Sequence, residues 1–230
     1  MIKTLFFRLF NIVEYEFEPQ ERKVFEYFKE IALKAEFGYR PRRVIKWTKP
    51  MKVFIKKEKV YNTQVVIIKE TIEQLNELAT DGFKVELIDN IFKCNIVLYL
   101  NKKTKVNEID PYFFKGINED FIGLVDIEFD SHDFNIIKGR IFIDTEQPID
   151  IQKSTIIEEL TQSIGLMNDS ELYQESTFFQ NKSSSRKKHL KHSGIDVELI
   201  KLLYLPSMKP GFDEEQVEKV IKRYYKSLKT

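Results

Sequence analysis

Apolar residues along the chain switch between a helical spacing and an alternating one, and these switches set the expected order of elements. In residues 20–36, Val24, Phe28, Ile31, Ala32 and Ala35 share one stripe, which predicts an amphipathic helix ended by Gly38. A second stripe, Ile68, Ile72, Leu75 and Ala79, predicts a helix capped by Asn62 or Thr63 and closed at Asp81 and Gly82. Residues 43–47 and 51–56 alternate and are rich in β-branched side chains, so they read as a strand broken near its start by Pro50. Further strands are expected over 83–88 and 95–100, the second so continuously apolar that it fits the interior of a sheet. Residues 101–120 are polar and carry Pro111 and Gly116, the pattern of a loop. Two more strands, 121–129 and 139–144, are joined by a polar connection at 130–133, where His132 reads as a solvated turn residue rather than a metal ligand.

The most informative stretch begins at Asp150. At about 100° per residue, a helix over 151–164 puts Ile156, Ile157, Leu160 and Ile164 on a packed face. Thr155, Glu158, Glu159 and Gln162 fall on the opposite face, which is expected to present carboxylates. Gly165 can take the left-handed conformation that stops a helix, so residues 166–169 turn back. Glu158 and Gln162, four apart, then stand side by side, with Asn168 returning toward them.

Composition narrows the classes of function. The 230 residues hold enough apolar material, 42%, for one sizeable core, so a single domain over 20–225 is expected behind an amino-terminal strand or arm, 1–19. Thirty-seven basic residues face thirty-six acidic ones, which removes the global charge argument for nucleic acid or an acidic membrane as partner. No stretch reaches the roughly 20 apolar residues of a membrane span. Arg8 interrupts the apolar opening and no cleavage pattern follows, so a secretion signal is not expected there. The one cysteine, Cys94, sits in an apolar run and reads as a small buried hydrophobe.

The run from Glu158 to Asp169 resembles the metzincin signature His-Glu-x-x-His-x-x-Gly-x-x-His. Glu159 and Gly165 match it, while Glu158, Gln162 and Asn168 stand where the three zinc-binding histidines would be. Together with Asp169 and Ser170, the run is similar to an uncharacterised bacterial family of zincin-like domains, many of whose members look exported or lipid-anchored. Residues 28–33, 35–38, 45–47, 75–78 and 95–96 resemble that family upstream. Downstream, Ser176, Thr177 and Phe178 look like its Met-turn, with Phe178 as the apolar floor, and residues 196–204 resemble its closing helix. The resemblance implies an α+β fold of the zincin-like (metzincin-like) peptidase kind: a small mixed twisted sheet, backing helices and a helix equivalent to the active-site helix. It also implies a location in the cell envelope or outside the cell. Met208 follows the closing helix and is expected to be an ordinary methionine.

The substitutions bear on the chemistry. A hydrolytic zinc site needs three good donors and an open position for water. Amide oxygens of Gln162 and Asn168 hold zinc far less well than imidazole, so no zinc and no other cofactor is expected. Glu159, in the general-base position, would lack a metal-bound water to deprotonate. Three readings compete. In one, Glu158, Glu159 and Gln162 are a solvated helix face. In a second, the former cleft binds a peptide or protein segment, with Glu158, Gln162, Asn168 and Asp169 as binding residues and a strand added to the sheet edge near 123–125. In a third, an active metallopeptidase or other hydrolase works through non-histidine ligands with Glu159 as base. The second is preferred, making the chain a non-catalytic member of its fold. Finally, residues 182–192 carry five basic residues and two histidines and read as a solvated loop.

Overall fold

The computed structural model describes residues 15–35, 41–113, 121–180 and 188–229. The expectations placed on residues 1–14, Gly38, Gly116 and residues 182–187 lie outside the described residues. The first helix, α1 (Pro19–Ala32), opens with proline at its first position and with the Glu18 N–H donating to Glu21 Oε2 at 2.8 Å. Its row Val24, Phe25, Phe28, Ile31 and Ala32 is buried, as the spacing requires. It ends four residues earlier than expected, and the carbonyl of Ile31 is taken by the N–H of Asn168 at 3.3 Å.

Five strands form one sheet in the order β2-β1-β3-β5-β4. They are β1 (Met51–Lys57), β2 (Val85–Leu87), β3 (Ile96–Asn101), β4 (Gly123–Phe129) and β5 (Ile136–Asp144). All neighbours pair in parallel except the hairpin β4–β5. The continuous apolar run of β3 is explained by its central place, because both of its faces are covered. Ile96, Leu98 and Leu100 join the main core with Met51, Val53, Ile141 and Ile143. Tyr99 turns to the other face, where it packs with Phe113 and Phe142.

Residues 43–47 are not a strand. Val44 instead exchanges backbone bonds with Gly211 and Phe212, and Lys46 makes a single bridge with Asn135. The expected loop after β3 contains a short helix, α3 (Val106–Ile109), which lays Val106 and Ile109 against the second core. Cys94 is half-buried rather than buried. It follows a tight turn over Ile91–Lys93 that leaves Phe92 exposed, and its thiol donates to Ile91 O at 3.0 Å.

On the main-core side of the sheet lie α2 (Asn62–Leu78) and α4 (Ile149–Ser163), with α5 (Gly194–Leu203) beyond them. Neither Asn62 nor Thr63 caps α2, whose N-cap position falls on Tyr61 without a side-chain bond. Gly82, at φ +92°, makes the turn expected of it. The last helix, α6 (Glu214–Ser227), was not anticipated, although Asp213 and Gln216 form a capping box and Val217, Val220, Ile221 and Tyr225 line its buried face. The result is a mixed α+β fold: a mostly parallel five-stranded sheet backed by helices.

Candidate functional site

Helix α4 is held at both ends by groups the sequence places far away. At its carboxyl end the indole N–H of Trp47 donates to Ser163 O at 2.9 Å and the Tyr204 hydroxyl donates to Ile164 O at 2.8 Å, satisfying carbonyls that a helix terminus leaves open. Gly165 then turns at φ +119°, and a Cβ there would stand 2.2 Å from Ile45 O, so glycine is required on two grounds. After this turn the chain does come back to Gln162. The residue that reaches it is Asp169, whose Oδ1 accepts from Gln162 Nε2 at 2.8 Å. Asn168 turns the other way, its amide donating to Asp169 O at 2.7 Å and to Glu30 Oε1 at 3.4 Å. The expectation that Asn168 returns to the helix motif is thus corrected by one position, since a turn reverses the chain but also rotates successive side chains apart.

The expected division of α4 into a packed and a solvent-facing side is also corrected. Glu158, Glu159 and Gln162 are only 4–5% exposed, and Thr155 is 1% exposed, so the solvated-face reading falls. The helix is central rather than peripheral, packed against α2, β4 and β5. At Gly123 the edge strand β4 comes so close that a Cβ would lie 2.2 Å from Thr155 Cγ2 and 2.3 Å from Glu159 Oε1. On another stripe, Ser154 and Thr161 flank Glu158 and are both bonded by the segment that precedes α5. The His189 N–H donates to Ser154 Oγ at 2.9 Å, and His192 Nε2 lies 2.7 Å from Thr161 Oγ1.

These bonds revise the basic run as well. Its described half, 188–192, keeps Lys188, Leu190 and Lys191 exposed but is tied down at points along α4 and α2: Lys188 pairs with Asp150, and the buried His192 has Nδ1 2.8 Å from Gln74 Oε1 on α2. Burial holds the His192 imidazole below its ordinary pKa, against the opposing effect of the Asp196 carboxylate.

The turn at Ser176, Thr177 and Phe178 is buried, with Phe178 in the main core. Asp196, fully buried in the first turn of α5, organises it. One carboxylate oxygen accepts from the Ser176 hydroxyl at 2.5 Å; the other accepts from the Thr177 N–H at 3.0 Å and from the Ser193 N–H and hydroxyl at 2.8 and 2.9 Å. The Tyr27 hydroxyl of α1 donates to Ser176 Oγ at 2.8 Å. Four donors around one buried carboxylate meet the demand that such a charge be solvated by the protein itself. Sequence reasoning missed Asp196 as a hub, although Ser193 and Asp196, three apart before an apolar run, are a legible capping box. Met208 is a buried core residue, and His132 is exposed.

Among the described residues, no group of three or more His, Cys, Asp or Glu side chains is disposed to hold a metal ion. Among the same residues, no helix is long and apolar enough to cross a membrane.

What the arrangement offers outward is backbone. The Asp144 N–H donates to Ile122 O, so in the β4–β5 ladder the even-numbered residues of β4 bond inward to β5. Gly123, Val125 and Ile127 consequently direct their N–H and C=O groups away from the sheet, while their side-chain positions face α4. No curated protein shows a significant match to the sequence. A family profile does match it, over residues 21–223, and the chain belongs to that family, described as Protein of unknown function (DUF2927).

Proposed function

We propose that the chain is a degenerate zincin-like domain that does not catalyse, and that it binds an extended peptide or protein segment along the outer edge of β4. The observation that carries this is the outward-facing backbone of Gly123, Val125 and Ile127, set directly against the motif helix at Glu159. Backbone pairing at such an edge supplies affinity without demanding a particular sequence. The helix motif supports the edge from behind. Gln162 and Asn168 have their amide N–H groups engaged within the chain, so their part is to hold the Gly165 turn rather than to grip the peptide.

Non-catalysis follows from donor chemistry. The metzincin arrangement of three imidazoles is replaced by Glu158, Gln162 and Asn168, and two neutral amides do not retain zinc at the strength a hydrolytic site needs. The zincin-like ancestry itself rests on the order of landmarks, namely the helix motif, the Gly165 turn and the buried turn at Ser176 to Phe178, within a mixed sheet whose antiparallel strand lies at an edge.

A peptide array probed with the wild type and with Val125→Pro tests the binding reading. Proline removes an outward N–H and leaves the inward bonds to β5 intact, so capture of extended peptides should be lost while the circular dichroism spectrum is kept. Equal capture by both proteins rejects the edge. Metal analysis by mass spectrometry, with peptide-cleavage assays on wild type and Glu159→Gln, tests the other half. Stoichiometric metal with cleavage that depends on Glu159 would establish the metallopeptidase instead.

A further inference from the structure

The face of β4 that looks away from α4 shows what such a peptide should carry. Its even-numbered side chains are Leu124, Asp126 and Glu128; Leu124 packs with the second core, whereas the Asp126 and Glu128 side chains are each 51% exposed. β4 contains no lysine, arginine or histidine. Both carboxylates already have a cross-strand partner on β5: Arg140 NH1 is 3.6 Å from Asp126 Oδ2, and Lys138 Nζ is 3.2 Å from Glu128 Oε2. Arg140 is shared with Asp110, at 3.2 Å from its Oδ2, so three carboxylates draw on two cations. Burial first holds the Asp126 carboxyl above its ordinary pKa; Arg140 opposes this, and Glu128 and Asp110 add to it. Among the described residues, these carboxylates would be the nearest charged neighbours of a strand added outside β4, since directly opposed side chains sit about 5 Å apart and the next strand lies roughly twice as far away.

We infer that the edge of β4 selects an extended segment with basic residues at alternate positions, placed opposite Asp126 and Glu128, and uncharged apolar residues at the positions between them. This inference rests on the edge-binding reading above and names its ligand class. The α4-facing positions fit apolar side chains because Val125 and Ile127 are half-buried against the main core. A second copy of this chain fits poorly, because pairing β4 with another β4 sets acidic residues on both strands of the contact with no base on either.

Three synthetic peptides test it, alternating valine with lysine, threonine or glutamate, with fluorescence anisotropy as the readout on the full chain. The lysine peptide should bind about five-fold tighter than the threonine peptide, from two favourable cross-strand pairs, and the glutamate peptide weakest. The double variant Asp126→Asn, Glu128→Gln should erase this ranking while still binding the threonine peptide, and about 1 M salt should compress it in the wild type. Equal binding of all three peptides, abolished by Val125→Pro, would overturn the charge selection and leave the edge reading standing. Binding that ignores Val125→Pro, or no binding at all, would overturn both. A concentration-dependent dimer dissociated by Val125→Pro would assign the edge to a second copy and overturn the inference as well.

Discussion

Gly123 and Glu159 touch so closely that no side chain fits between them: a Cβ on Gly123 would stand 2.3 Å from Glu159 Oε1 and 2.2 Å from Thr155 Cγ2. The edge strand and the motif helix are packed together, and this is a point of very close approach between them. Gly123→Ala should destabilise the chain by about 1–3 kcal/mol through overpacking. Part of that loss should return in the double variant with Glu159→Ala, read from urea denaturation. Strict additivity of the two changes would show that the strand does not rest on the helix there.

Asp196 ties the turn at Ser176 to the start of α5 through four donors. Asp196→Ala should cost about 3 kcal/mol, because several buried donors lose their acceptor at once. Tyr27→Phe should cost about 1 kcal/mol, since it removes one bond to Ser176 and leaves the carboxylate satisfied. If the two variants were equally mild in denaturant melts, the network would not be what holds the turn.

His192 makes stability depend on pH. Burial lowers its folded-state pKa below the ordinary value of about 6.5, so the unfolded chain takes up the proton first as pH falls. Its contribution is constant above about pH 6.5 and is lost below that, with a slope approaching 1.4 kcal/mol per pH unit between the two pKa values. The nearby Asp196 carboxylate narrows the window without reversing the sign. Comparing unfolding free energies of wild type and His192→Gln from pH 7.5 down to 5 checks this, and parallel curves would sink it.

Lys46 is a buried cation, 1% exposed, with Nζ 2.6 Å from Asp81 Oδ2, 2.8 Å from Leu203 O and 3.3 Å from Met208 O, and with the Tyr204 ring 4.4 Å away. Burial depresses its pKa against the pull of Asp81. Lys46→Met should cost about 3 kcal/mol by leaving that carboxylate and those carbonyls without their donor. A melting temperature unchanged in this variant would mean that water replaces the ammonium group without loss.

The sequence by itself determined the periodic parts of this protein. The stripes Val24–Phe28–Ile31 and Ile68–Ile72–Leu75, the continuous run of β3 and the turn at Gly165 are local patterns whose physics acts within a few residues, and each was found close to where the spacing put it. Local pattern failed where a distant segment supplied the decisive partner. Residues 43–47 have strand-like alternation, yet the backbone of Val44 bonds to Gly211 and Phe212 and the carbonyl of Lys46 to Ile136, all distant in the chain. The polar face of α4 reads as solvated because helical periodicity reports only which residues share a side, not what covers that side. The tertiary structure decided that Glu158 and Glu159 are buried, that Asp169 rather than Asn168 meets Gln162, and that the second half of the basic run is tied down at points along α4 and α2. Each of these depends on contacts between residues distant in the chain, and no spacing rule carries that information.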